Sequence, residues 1–506
     1  MNPHFRKHLV LWTGCGLVIC LLISWIAYGL FGTYLIEALY WGQWPGISSK
    51  IMGVRADTPL TYYLQEVDRR MVVGTFWIVI SFLALALVLK KPLGVILACC
   101  SGLLSFTFLF CVLEFFPFLL NSFRLDFIQY YAYRANYLPD STLVYREKPR
   151  TVARLSNFRG HYYSPVYNVD VPPVTVDLRI DEEGFRNSHA AKQADIAVIG
   201  DSYTEYGDDE ADTFGKRVEK KLAGLTVTNL GKAGYGPFQY LEVLKRYGIN
   251  KKPTYVLLCF YEGNDLNDTE DYLQWRGEIQ KHGSRRNEYV EVHRALTGNL
   301  AERYRMALMG TIQFTLKQII FLMDLITSKL WEMRGLRHPE IAVVTVGNKD
   351  YQMLFRDIDW SKKIMNSTEQ LVESASFVKL REILKEFKSI CEEYTIKPIV
   401  VFIPNRTHIY GEYSTARSGT RWLRQWRERA DHTDKVELLV LSLLKELKLE
   451  FIDLRSAFTR EAKSGKMLYL PLDSHWNAEG RESAAVLVAD LLKAKAIPSA
   501  SGTVGQ

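Results

Sequence analysis

Cysteine is scarce: 7 of 506 residues, of which Cys15, Cys20, Cys99, Cys100 and Cys111 sit in apolar stretches, leaving Cys259 and Cys391 in the polar part. No disulfide framework and no cysteine-based zinc spacing can be drawn from them. Internal repeats and low-complexity segments are also missing, which excludes a repeat array. A strong charge bias is absent too, with 63 Lys and Arg against 56 Asp and Glu and a net charge of +7. That mild excess suits an anionic membrane surface and nucleic acid equally and singles out neither. The acidic stretch Asp208, Asp209, Glu210 and Asp212 lacks the spacing of an EF-hand and reads as a solvated loop capping a helix from about Thr213. At this length two or three domains are expected.

What is present begins with long apolar runs. Residues 9–31, LVLWTGCGLVICLLISWIAYGLF, carry no charge, and a helix of that length spans the roughly 30 Å hydrocarbon core. A signal peptide would have a shorter apolar region, about 7 to 15 residues, and a small-residue cleavage site. Residues 72–89 and 93–120 repeat the pattern, so residues 1–120 are expected to form an anchor of three transmembrane helices. Arg6 and Lys7 before the first span and Lys90 and Lys91 between the second and third favour a cytoplasmic N-terminus. The opposing loop holds Lys50, Arg55, Arg69 and Arg70, so only the density beside the first helix sets the orientation. The expectation is an integral protein of a bacterial inner or plasma membrane, with its polar two-thirds periplasmic or extracellular. Glu114, inside the third apolar stretch, reads either as a functional intramembrane carboxylate or as one that snorkels near Pro117.

From about residue 195 the texture changes. DIAVIGDS, LTVTNLG, YVLLCFYEGND, PIVVFIPN and LEFIDLRS read as five buried strands, too short and too β-branched for helices. Amphipathic patterns at 213–223, 237–247, 374–394, 430–447 and 478–494 separate them. The predicted class is α/β, a five-stranded parallel sheet with helices on both faces, whose ligands bind at the carboxyl ends of the strands. The domain takes residues 195–265 and 397–495. Between them, 266–396 is far longer than a βα loop and reads as a mostly helical insertion, including an apolar helix at 306–331 that suits a lid or interfacial helix better than a fourth span. Residues 121–194 form a β-prone connecting segment containing DEEGFRN, and 496–506 a disordered tail.

Chemistry gathers on the predicted ligand edge. Ser202 ends the first strand and reads equally well, alone, as a nucleophile or as a helix cap. Gly234 in NLGKAGYG and Asn264 in YEGND end the next two strands and can donate N–H groups to an oxyanion. In LPLDSHWN, Asp473 and His475 are two apart and point the same way in an extended loop, so the carboxylate can hold the imidazole that faces Ser202. Four such elements, each just past a strand, make the nucleophile reading of Ser202 the better one.

These blocks, GDSYTEYG, NLGKAGYG, GND and DSHWN, resemble the four blocks of the SGNH, or GDSL-like, hydrolase superfamily of esterases, lipases and O-acyltransferases. The resemblance implies a flavodoxin-like α/β/α sandwich and catalysis without metal or other cofactor. It implies Ser202 as nucleophile, His475 and Asp473 as base and orienter, and the Ser202 N–H, Gly234 and Asn264 as the oxyanion hole. DEEGFRN and GYGPFQ look like a membrane-tethered branch. Many members have two residues between Asp and His; the single residue here is similar to alginate O-acetyltransferase-like proteins, which modify exported polysaccharides beside a membrane-bound acyl-donor protein.

Two further stretches draw attention. PNRTHIYGEY leaves the fourth strand on the same edge, making Asn405, Arg406 and His408 candidates for substrate binding. RSGTRWLRQWRER, residues 417–429, interleaves Arg421, Arg424 and Arg427 with Trp422 and Trp426, a face that suits sugars or anionic headgroups, or simply a solvated helix packing two tryptophans. The expected activity is that of a membrane-anchored esterase or O-acyltransferase acting on acyl, chiefly O-acetyl, groups of a glycan or cell-envelope polymer, with the bilayer and a membrane complex as partners and no nucleic acid. A lipid esterase and a non-catalytic subunit of a membrane complex are the rival readings.

Overall fold

The computed structural model describes residues 137–158, 167, 169–279, 287–298, 341–355, 367–415 and 435–495, with single positions at 327, 329 and 333. The three expected spans, Glu114, nearly all of 306–331, the Arg/Trp stretch at 417–429 and the tail lie outside them. Among the described residues no helix is long and apolar enough to cross a membrane.

Among the described residues twelve strands occur in chain order: β1 Tyr137–Asp140, β2 Val144–Glu147, β3 Val152–Phe158, β4 Val174–Arg179, β5 Ile196–Ile199, β6 Val227–Asn229, β7 Tyr255–Tyr261, β8 Ile341–Val346, β9 Lys349–Leu354, β10 Lys397–Ile403, β11 Ser414–Thr415 and β12 Glu450–Asp453. Five of them form a parallel sheet in the order β6-β5-β7-β10-β12. β5 and β7 are buried at every position, as expected of strands covered on both faces. On one face Val198, Leu257 and Val401 join Phe214, Val218, Val488 and Leu492 in a single apolar core, brought by the helices Phe214–Lys221 and Ala478–Ala494. On the other, the turn Leu244–Gly248 after the helix Pro237–Val243 approaches Ile199 so closely that a Cβ on Gly248 would stand 3.8 Å from its Cδ1. The helices Asp265–Arg276 and Ala375–Glu393 pack beside it, the latter against β10.

The strand order reverses direction at β5, with β6 on one side and β7 on the other. In a sheet of this order the crevice at the reversal is where ligands bind. Ser202 follows β5, so it stands at that point.

Among its described residues the connecting segment carries the antiparallel pairs β1–β2 and β3–β4. It is pinned to the domain rather than appended to it. Asn187 donates from Nδ2 to the Asn229 carbonyl at 2.9 Å and accepts from the Asn229 N–H at 3.0 Å. Arg186, 2% exposed, donates to the carbonyls of Glu205 and Gly207 at 3.1 and 2.8 Å.

The described residues of the insertion are mainly helical, with one β element among them. Besides the helices Asp265–Arg276, Glu288–Thr297 and Ala375–Glu393, it contains the hairpin β8–β9, which β11 extends to three antiparallel strands. IAVVTV is β-branched and nearly all buried, and Gly347 at φ +59° supplies the left-handed residue a two-residue hairpin loop requires. Val344, Val346 and Met353 enter the main core. The acidic stretch is likewise more than a solvated loop: Asp212 binds the buried Arg481 and pairs with Arg217 at 2.5 Å.

Candidate active site

β5 delivers the chain into a turn that admits only glycine at position 200. A Cβ there would lie 2.7 Å from Thr204 Cγ2 and 2.9 Å from Cys259 Cβ. Asp201 then caps the short helix Ser202–Glu205, its Oδ1 accepting from the Tyr203 N–H at 2.9 Å. The cap is therefore Asp201, and Ser202 is the first helical residue. Burial pushes the Asp201 carboxyl up to about 6, against the opposing pull of the Tyr203 N–H, His475 and the neighbouring Asn264 side chain.

Ser202 Oγ lies 2.7 Å from His475 Nε2, and His475 Nδ1 lies 2.6 Å from Asp473 Oδ1. Asp473 is fully buried, whereas the His475 side chain keeps 15% exposure. An ionised carboxylate only accepts, so the ring proton belongs on Nδ1 and the lone pair of Nε2 faces the Ser202 hydroxyl. The same Asp473 oxygen also accepts from the His475 main-chain N–H at 3.2 Å, fixing ring and backbone together.

The loop carrying this pair is held from three directions. Leu470 N–H donates to the His475 carbonyl at 2.9 Å, and Tyr469 bridges Trp476 in antiparallel fashion. Tyr203 Oη donates to the Ser474 carbonyl at 2.6 Å and Trp476 Nε1 to the Tyr203 carbonyl at 3.1 Å. From below, Arg406 donates to the carbonyls of Asp473 at 2.5 Å, Leu470 at 3.3 Å, and Leu354.

Gly234 and Asn264 follow β6 and β7, the two neighbours of β5. Gly234 has φ +77°, and a Cβ there would stand 2.5 Å from Tyr145 Oη, whose hydroxyl donates to the adjacent Ala233 carbonyl at 2.9 Å. Asn264 heads the helix Asp265–Arg276 without a side-chain capping bond, which leaves its amide outside the cap. Beneath the Gly234 loop lies a buried charge cluster that the sequence did not announce. Lys232 Nζ is 2.6 Å from Glu147 Oε2 and 3.0 Å from Glu205 Oε1, and Glu205 Oε2 accepts from the Ala233 N–H at 2.6 Å.

The expected substrate-binding trio is turned inward. Asn405, 1% exposed, caps the helix Arg406–Tyr410 by accepting from the Thr407 N–H at 2.9 Å. Arg406, also 1% exposed, is occupied by main-chain carbonyls, and His408 Nδ1 meets Glu262 Oε2 at 2.9 Å with its side chain 2% exposed. Their side chains build the floor of the domain instead of lining a surface. Tyr203 and Trp476, which the sequence did not single out, support the site, and Arg406, expected at the substrate, supports it from inside.

Residues 362–504 match the family model described as SGNH hydrolase-like domain, acetyltransferase AlgX. Comparison with curated proteins gives no match. Among solved structures, an acetyl xylan esterase is 12% identical, with 60% of this chain and 100% of that chain covered and a TM-score of 0.28. A GDSL-like lipase from Bacteroides thetaiotaomicron is 11% identical, covering 59% and 88% at 0.27. An extracellular lipase from Streptomyces rimosus is 12% identical, covering 59% and 99% at 0.31. Residues 362–504, which include the Asp473–His475 loop that meets Ser202, are thus similar to the SGNH hydrolase-like domain of that acetyltransferase family.

Proposed function

We propose that this protein is a serine esterase or O-acyltransferase that works through an acyl-enzyme on Ser202. The observation that carries the reading is the 2.7 Å contact between Ser202 Oγ and His475 Nε2, backed by Asp473 at 2.6 Å. As Oγ attacks the acyl carbon, Nε2 takes its proton, and Asp473 stabilises the imidazolium that results. Negative charge then develops on the former carbonyl oxygen. The N–H groups of Ser202 and Gly234 and the Asn264 amide are the donors assigned to it, each worth about 10² to 10³ in rate at such sites. The protonated imidazole returns its proton to the leaving oxygen, and a water or a sugar hydroxyl resolves the acyl-enzyme by the reverse path.

The finer reading is that the acyl group is acetyl, carried to or from a glycan of the cell envelope. The description of the matching family as an acetyltransferase supports it, as does the Asp-x-His spacing. The three apolar runs in residues 1–120 support a membrane anchor with the catalytic domain outside the cytoplasm.

The test uses the full-length chain in mild detergent with a fluorophosphonate probe. Wild type should label and Ser202→Ala should not; labelling that persists in the variant removes Ser202 as nucleophile. Hydrolysis of p-nitrophenyl acetate in preference to the palmitate ester is expected, and the opposite preference would move the substrate class to lipids.

A further inference from the structure

A second cluster of reactive side chains lies at the same sheet edge, outside the triad. Glu262 directly follows β7, His408 sits in the helix after β10, and Glu437 sits in the helix Lys435–Glu446 before β12. Each offers one ligand atom, and these atoms lie within 4.8 Å of one another. Glu262 is 1% and Glu437 5% exposed.

Glu262 is held by one oxygen only. Its Oε2 accepts from the Asn405 N–H at 2.9 Å and meets His408 Nδ1 at the same distance. Its Oε1 is buried with no hydrogen-bond partner among the described residues. A buried polar oxygen left without a partner is costly. Arg455 pairs with Glu437, but Asp453 adds a third carboxyl close enough to Glu437 and Glu262 to interact with both. Among the described residues Arg455 is the cation seen paired with this group of acids. A dication placed among these carboxylates relieves two of them together.

We propose that Glu262, His408 and Glu437 bind one divalent transition-metal ion, Zn²⁺ in the first instance. One imidazole with two carboxylates is a donor set that suits Zn²⁺ and, next to it, Mn²⁺. Ligand atoms around a tetrahedral Zn²⁺ sit about 3.4 Å apart at bonds of about 2.1 Å, so modest side-chain rotations close the cluster. Glu262 Oε2 and His408 Nδ1 already stand 2.9 Å apart, so a carboxylate and an imidazole donor lie side by side. The ion acts as a staple rather than as a Lewis acid for the acyl carbon. It ties the ends of β7 and β10 to the helix entering β12, two residues from Asn264, and is independent of whether Ser202 is acylated.

The experiment takes the full-length chain, purified in detergent without chelator, through metal analysis by inductively coupled plasma mass spectrometry. Stripped protein is then titrated with Zn²⁺ and, separately, with Mn²⁺ against a chromophoric chelator, and thermal midpoints are read with and without metal. About one ion per chain is expected in wild type and in Ser202→Ala. Glu437→Gln and His408→Gln should each weaken binding by about 10-fold or more and lose the metal-dependent rise in midpoint, with circular dichroism confirming that at least one of them folds. Stoichiometric Mn²⁺ in place of Zn²⁺ supports the site and changes the ion. Substoichiometric metal in wild type after loading with either ion, or binding unchanged in a folded variant, overturns it.

Discussion

Tyr203 Oη and the Ser474 carbonyl meet at 2.6 Å, joining the residue after the serine to the residue before the histidine. Trp476 returns the connection with its indole N–H to the Tyr203 carbonyl, so the serine turn and the Asp-x-His loop are bolted together by two bonds. Tyr203→Phe keeps the ring packing and leaves one half-buried acceptor unmet. A loss of about 1 to 3 kcal/mol in denaturant unfolding is expected. The rate of fluorophosphonate labelling should fall about 10-fold or more, because small displacements of a nucleophile from its base are heavily penalised. Unchanged labelling in a destabilised variant would reduce this pair to a purely structural one.

Lys232 sits between two glutamates with 5% of its side chain exposed. Lys232→Met removes the cation and strands Glu147 and Glu205 as buried like charges, a change that typically costs about 3 to 5 kcal/mol. Adding Glu147→Gln should restore part of that loss, since Glu147 is already pushed up to about 7 by burial and the glutamine carries no charge. The urea midpoints of wild type, single and double variants give the comparison. A double variant no more stable than Lys232→Met would show that charge is not the cause.

Asp201 gives a pH dependence with a definite sign. Burial raises its native pKa from 3.8 to about 6, so the native state keeps a proton that the unfolded chain has released. The corresponding stability is fully present below about pH 3.8 and is lost as pH rises through about 6. Asp201→Asn keeps an oxygen to cap the Tyr203 N–H and stays neutral throughout. Relative to wild type, the variant should therefore gain unfolding free energy between pH 4 and pH 7. A difference that is constant with pH, or that shrinks, would contradict the assignment.

The parallel sheet could be read from the sequence because its strands are short apolar runs, each followed by a residue with chemistry to do. Ser202, Asp473 and His475 meet in the fold for that reason: loops at one strand end converge whatever lies between them. Arg406 shows where the same logic misleads. It too follows a strand, but its guanidinium turns inward to carbonyls of the 470–473 loop, a direction set by tertiary packing. The cap that Ser202 could have supplied by residue type is supplied by Asp201, a choice made by the backbone. The β8–β9 hairpin had a signal, IAVVTV followed by Gly347 and Asn348, which the helical stretches around it outweighed.

The separation of 273 positions between Ser202 and His475 has a bearing on how the site comes into being. β5 and its serine leave the ribosome long before the loop that completes them, and every contact between the two is a late, long-range closure. Until the loop bearing His475 reaches the end of β5, the hydroxyl has no base beside it. Reactivity is thereby deferred to the end of folding, and a nascent or clipped chain stopping short of residue 475 carries an ordinary serine.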